Sequence, residues 1–338
     1  MNTLHRRIPC AKLKMTTNNE RKQRVMNIKT PSVVRPKQAF YKSNNFQAYT
    51  IGAIPLLLIF IFNYLPMFGV IIAFKDYRFD KGIFGSEWVG LDNFKMFVSS
   101  NDFTRITINT LYLNAIFIAA GIISALIVAI LLYEIKSRNA TKVYQTLLIT
   151  PHFLSWVVVS YMAYAFLHPS YGLVNSVIGM FGAEPVDWYS KPEAWPLILT
   201  IASVWKHVGM DSVIYYASMM GIDNSLYEVA DIEGANAWQK TRYVTLPSLV
   251  PLISVLTILK IGSIFRADFG LFYQLTRDIG ALYDATDVID TYIFRTMRVV
   301  GDMGVSSAVG LMQSLVGFVL VMLTNYVSKK IEPDNALF

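Results

Sequence analysis

Long apolar runs separated by short polar stretches make up the chain from Thr50 onward. Thr50–Phe74, Ile106–Tyr133 and Gly304–Ser328 hold no Asp, Glu, Lys or Arg. Each is long enough, as a helix, to cross about 30 Å of hydrocarbon. Val143–Leu167 is similar, interrupted only by His152; Ala194–Met220 contains Lys206, His207 and Asp211, and Ser248–Phe265 contains Lys260. The pattern predicts an all-α polytopic membrane protein with about six transmembrane helices, at 50–74, 106–133, 143–167, 194–220, 248–265 and 304–328.

The connections carry their own signals. Pro55 and Pro66 fall inside the first span, where neighbouring helices can support them. Lys75–Arg105 balances five acids with five bases and is expected to be solvated. Leu173–Phe181 is apolar but too short to span, so it is expected to be interfacial or re-entrant. Trp188 and Trp195 suit an aromatic belt at the membrane surface. The 266–303 stretch interleaves Phe272, Tyr273 and other aromatics with Asp268, Arg277, Asp278, Asp284, Asp287, Asp290 and Arg295. Such a mixture fits sugar rings, a headgroup-level belt or another subunit.

Composition agrees with a membrane class: 54% of the 338 residues are hydrophobic and 16% charged. The net charge of +7 is unevenly placed. Residues 1–42 carry eleven Lys or Arg against Glu20, a segment of +10, so the remainder is −3. A basic segment before the first span, Lys136, Arg138 and Lys142 after the second, and Lys329 and Lys330 after the last put both termini in the cytoplasm. Residues 1–45 are expected to form a disordered, lipid-attracted arm, 46–332 the six-span domain and 333–338 a tail. Met15 offers an alternative start. Cys10 is the one cysteine, which excludes an intrachain disulfide and a cysteine metal site.

The one long polar, helix-forming segment between later spans is Ser225–Pro251. Ser225 with Glu228 has capping-box spacing, so a helix is expected from Leu226, ended by Gly234. Asn236 with Gln239 repeats the spacing and starts a second helix through Trp238, which Pro247 should stop or kink. The reading is a cytoplasmic helix-turn-helix coupling element.

Its residues resemble a known motif. Permeases of ABC importers carry E-A-A-x-x-D-G-A followed by a helix ending in I-x-L-P. Glu228-Val229-Ala230, Glu233-Gly234-Ala235 and Val244-Thr245-Leu246-Pro247 fall at the matching positions. Val229, Glu233, Thr241 and Val244 depart mildly from it. Trp88 to Phe94 is similar to the V-G-L-x-N-F signature of the maltose-type carbohydrate family. Ala267 to Asp278 resembles its LplB-like oligosaccharide and polysaccharide branch.

The resemblance, over Phe46 to Glu332, implies a permease subunit of a binding-protein-dependent importer in the bacterial cytoplasmic membrane. It implies a carbohydrate moved by alternating access, a related second permease in a heterodimer, two ATPase subunits and an external solute-binding protein. Glu228, Ala230, Glu233, Gly234, Ala235, Trp238, Leu246 and Pro247 would then dock on the ATPase. Trp205, Lys206, Gly209, Asp211, Phe272 and Tyr273 are candidates for the substrate path, because ionisable groups at membrane depth commonly face a bundle interior or water-filled route.

No phosphate loop and no catalytic constellation appears in the chain. The expectation is a transport subunit, not an enzyme, that binds no cofactor itself, with ATP and Mg on the partner ATPases. Metal ligands and nucleic-acid partners are not expected. Two other readings compete: an ABC permease for a non-sugar solute, and an ion-gradient-driven secondary transporter. The latter commonly carries paired broken helices in repeats, and this chain has one helix-turn-helix without a counterpart. A membrane-embedded enzyme would have only the Asp residues of 268–290 as raw material.

Overall fold

The computed structural model describes residues 44–331, with the side chains of 49–327, 329 and 330. The arm over 1–45, apart from its last two residues, and the 333–338 tail lie outside the described residues. The chain divides into two units between Leu65 and Pro66. In the first, α1 (Asn44–Ile59) contains Pro55 and leads into a π-helical turn, Phe60–Tyr64.

In the second unit, β1 (Lys75–Asp76) pairs antiparallel with β2 (Glu87–Trp88), with Lys75 opposite Trp88. Helices follow as α2 (Asp92–Val98), α3 (Asp102–Tyr133), α4 (Arg138–Ile149), α5 (Trp156–Leu167) and α6 (Leu173–Met180). Beyond them lie α7 (Trp195–Met219), α8 (Asn224–Ile232), α9 (Ala237–Lys240), α10 (Leu246–Gly262), α11 (Phe269–Leu275), α12 (Ile289–Arg295) and α13 (Met303–Ile331). Tyr49–Phe74, Asp102–Tyr133, Pro192–Met219, Ala237–Gly262 and Met303–Val327 are each long and apolar enough to cross a membrane.

The remaining expected span, 143–167, is not one straight helix. Arg138–Phe153 and Trp156–Leu167 meet at 98°. Pro151 lacks an N–H for the ladder, Leu154 turns extended, and Ser155 starts α5 by accepting the Val158 N–H at 3.3 Å. The pair brings the count of crossings to six if it is taken as one span.

Small side chains set the closest packing. Ala125 and Ala129 of α3 are fully buried with Tyr215 and Met219 of α7 and Leu249 of α10. In an apolar solvent, small residues let helices approach and gain dispersion contacts that lipid tails would otherwise supply. A second cluster joins Leu113, Val159, Trp195, Leu199, Leu271, Phe272 and Leu275. Trp195 is therefore core, not belt: it is 0% exposed and its indole N–H donates to the Trp188 carbonyl at 2.8 Å.

The polar segments are tied down by buried groups. Asn93, in the Trp88–Phe94 run, donates to the carbonyls of Ala73 at 2.9 Å and Lys75 at 3.0 Å. Gly304 comes so close that a Cβ there would lie 2.8 Å from both the Asn93 amide nitrogen and the Lys75 carbonyl. Over 266–303, Asp278 and Asp287 turn inward, whereas Asp284 stays exposed. Arg105 meets Asp102 at 2.7 Å and Asp284 at 3.0 Å, while Arg295 holds Asp278 at 3.0 Å and the buried Asp287. Asp278 and Asp287 are therefore structural partners for arginine.

Candidate functional site

Two regions stand out: a polar helical elbow that holds the predicted coupling residues, and a cavity between spans that takes in Asp211. At the elbow, α8 begins earlier than its sequence suggested. Asp223, not Ser225, is the cap, and its carboxylate accepts the Ser225 N–H at 2.9 Å. That bond holds the Asp223 carboxyl below its ordinary range. The Ser225–Glu228 capping box does not form, because Asp223, two residues upstream, caps the helix and takes the Ser225 N–H. Glu228 is left exposed.

Gly234 ends α8 as expected, with φ of 75°. The Ala235 N–H reaches the Ala230 carbonyl at 2.9 Å and the Gly234 N–H reaches that of Asp231 at 3.0 Å, the paired bonds of a Schellman ending. Asn236 and Gln239 form the expected capping box at 2.9 and 2.8 Å. An ion pair from Lys240 to Asp231 ties α9 back to α8, and Tyr227 meets Thr245 at 2.9 Å. The elbow is thus bonded internally at both ends of its turn.

Pro247 neither stops nor ends the second helix. Thr241–Thr245 widens into a π-helical turn, and α10 starts at Leu246 with Pro247 in its first turn. The wider turn absorbs the hydrogen bond and the carbonyl space that proline cannot accommodate. Three large apolar side chains of the elbow are exposed among its polar ones. Val229 is 58% exposed, Ile232 85% and Trp238 66%. Glu233 and Pro247 are exposed as well, whereas Ala230, Ala235 and Leu246 are half-buried.

The cavity, about 330 Å³, lies among α3, α7, α10 and the start of α11. Asn114, His207, Asp211, Lys260, Arg266 and Asp268 give it a polar wall. Lys260 pairs with Asp211 at 2.7 Å. Asn114 donates to the Ile264 carbonyl at 2.7 Å, and the Asp268 carboxylate accepts the Trp156 indole N–H at 2.7 Å.

Of the six residues expected on the path, Asp211 alone lines this cavity. Lys206 is buried and turns to the α4–α5 break, donating to the carbonyls of Pro151 at 3.4 Å, His152 at 3.0 Å and Leu154. Gly209 packs under the same helix, where a Cβ would come 2.0 Å from the Leu148 carbonyl oxygen. Trp205 lines an apolar groove with Met162 and Phe166. Phe272 is core, and Tyr273 lines a separate small cavity. Asn114, Arg266 and Asp268 were not singled out for the path. Asn114 lies in an uncharged run and Arg266 just beyond a span, so neither charge at depth nor a motif marks them; Asp268 falls in the Ala267–Asp278 run, whose resemblance speaks for the substrate branch and not for the path.

Residues 121–333 match the model of the family described as "Binding-protein-dependent transport system inner membrane component". The chain belongs to that family. The permease is 35% identical over 283 residues to Protein LplB of Bacillus subtilis, covering 83% of this chain and 88% of the relative. It is 35% identical over 270 residues to the polygalacturonan/rhamnogalacturonan transport system permease protein YteP of the same organism, covering 80% and 84%. A chain in the crystal structure of a bacterial ABC transporter involved in the import of the acidic polysaccharide alginate superposes with a TM-score of 0.77 at 32% identity, over 85% of this chain and 96% of that one. With its apolar helices, the permease is a multi-pass protein of the cytoplasmic membrane.

Proposed function

We propose that this permease is one transmembrane subunit of an ABC importer for an oligosaccharide. A related second permease, two ATPase subunits carrying ATP and Mg, and an extracytoplasmic solute-binding protein complete the complex. Both termini and the elbow face the cytoplasm, in keeping with the basic residues that flank the spans. The carbohydrate class is supported by relatives named for polygalacturonan/rhamnogalacturonan and alginate.

The observation that carries the reading is the elbow itself. It is an internally bonded helix–Gly234–helix whose Val229, Ile232 and Trp238 meet water rather than their own chain. Such a patch on a polar segment marks a surface for another protein. Closure of the ATPases on ATP would pull this elbow and, through the π-turn and α10, move the Lys260 wall of the cavity. Substrate would enter from the binding protein on the outside and leave inward as the two permeases rock. Glu228 and Glu233 would offer carboxylates to basic groups in the ATPase cleft.

The testing experiment is ATP hydrolysis by the complex purified on a tag fused to this chain, with oligosaccharide-loaded binding proteins added. Hydrolysis stimulated by one loaded binding protein is expected. A correctly inserted permease that brings no ATPase with it would overturn the reading.

A further inference from the structure

Several basic side chains in and around the spans have partners: Lys260 has Asp211, Lys206 has three carbonyls, and Arg105 and Arg295 share the carboxylates of 266–303. Arg277 does not. Its guanidinium carbon lies 4.2 Å from the Tyr164 ring centroid, and its side chain makes no hydrogen bond or ion pair with a described residue. Arg277 and Asp278 both have left-handed backbones, with φ of 56° and 52°. Consecutive non-glycine residues avoid that region unless their surroundings enforce it. Asp278 is the anchor: one carboxylate oxygen accepts from the Tyr283 hydroxyl and from Arg295, each at 3.0 Å. With Asp278 fixed inward, Arg277 is turned outward across Tyr164.

There it closes a cavity of about 220 Å³, whose other walls are Val157, Ser160 and Tyr161 of α5 and Tyr273 and Gln274 of α11. The Tyr273 ring is held by Phe269, stacked at 5.0 Å, and by Phe294 at 4.9 Å. The Tyr161 and Tyr273 hydroxyls and the Gln274 amide have no hydrogen bond within the described residues. Ser160 gives its proton to the Val157 carbonyl at 2.7 Å and keeps lone pairs to accept with. A fixed aromatic, three unspent polar groups and one unpaired guanidinium thus share one small space.

We propose that this cavity is a subsite for a single uronate ring of an acidic oligosaccharide. Arg277 pairs with the sugar carboxylate through two parallel N–H donors, the geometry in which a guanidinium binds a carboxylate best. Gln274 and the two tyrosines hydrogen-bond the ring hydroxyls. The subsite is separate from the Asp211–Lys260 cavity, and it rests on the carbohydrate reading above while narrowing the substrate to a sugar acid. A lipid phosphate would call for clustered cations. Here one cation stands among neutral hydrogen-bonding groups, as a polyhydroxylated acid requires.

The test uses the whole complex in nanodiscs, with galacturonate and mannuronate trisaccharides and their methyl esters as probes. Binding of at least one free acid is expected, with its ester weaker. Arg277→Gln should weaken the acid by roughly tenfold to hundredfold, the range for a hydrogen-bonded charge, and change the ester by no more than about twofold. Tyr161→Phe removes one hydroxyl from an exposed ring, leaves the turn intact, and should weaken acid and ester alike. Equal binding of acid and ester, or an Arg277→Gln effect confined to added phosphatidylglycerol, would overturn the proposal. Import of neutral oligosaccharides without either uronate would overturn it and leave the carbohydrate reading standing. If ATPase co-purifies but no oligosaccharide is imported, both fall.

Discussion

Lys260, in the last turn of α10, reaches across to Asp211 on α7 with 2.7 Å between Nζ and Oδ2. Each charge would be costly alone at this depth, and together they hold two spans across the cavity. Lys260→Met or Asp211→Asn should each leave the other charge uncompensated. The double variant should recover part of the loss. A double-mutant cycle on thermal unfolding in detergent is expected to give a coupling of about 1–2 kcal/mol, inside the usual range for touching residues. Additive single effects would mean that the pair is wetted and energetically idle.

Lys206 occupies the corner where α4 gives way to α5, and Gly209, one turn along α7, lets the backbone of α4 pass. Lys206→Met fills similar space but leaves the Pro151, His152 and Leu154 carbonyls without their donor. A loss of about 2 kcal/mol is expected, the cost of removing a charged hydrogen-bond partner. Gly209→Ala forces a methyl into the Leu148 carbonyl and should cost about 1–3 kcal/mol, as overpacking does. Both are read from unfolding midpoints, with Lys206→Arg as a control that keeps the charge.

Much of this arrangement was legible in the sequence. Apolar runs located the spans because the bilayer demands length and excludes charge. Gly234 and the Asn236–Gln239 box announced the elbow because turn and cap chemistry is local. What stayed hidden depends on distant partners. Nothing near Lys206 says that it will meet carbonyls more than fifty residues earlier, so a lysine at membrane depth read as a path residue. The 98° break was masked because Pro151 sits in an otherwise unbroken apolar run, and proline inside a span is often tolerated. Asp223 outcompeted Ser225 as a cap by a shift of two residues, a margin that spacing alone does not resolve.

Burial pushes the Asp290 carboxyl above its ordinary range, against the opposing pull of hydrogen bonds from the Ala267 N–H and Gln313 and of the nearby Arg266 charge. A carboxyl whose folded value is raised stabilises the fold below its unfolded value near 3.8, and that contribution is lost as pH rises through the folded value. Asp290→Asn keeps an oxygen to accept both bonds and removes the charge. Its unfolding midpoint should therefore vary less than that of the parent between pH 4 and pH 7, with the gain at the upper end. A parallel shift at every pH would count against burial as the cause.

Substitution at Gly234 can separate folding from the proposed coupling. Its φ of 75° suits glycine, yet a Cβ built there meets nothing within 4 Å. Asn and Asp enter the left-handed region more readily than other side chains, so Gly234→Asn and Gly234→Asp should insert and fold. Under the proposed docking a partner cleft would lack that tolerance: the added group would stand at the turn of the elbow, between Ile232 and Trp238 in sequence, where the docked surface would close. Uptake is expected to fall by roughly an order of magnitude, which about 1.4 kcal/mol lost at the interface would produce. Gly234→Asp should be the more severe, since it adds an anion beside Glu233. Membrane level and unfolding midpoint, measured alongside uptake and co-purified ATPase, distinguish the outcomes. Lost uptake with a normal midpoint locates the defect in docking, whereas normal uptake by Gly234→Asp would show that the elbow tip is not the contact surface.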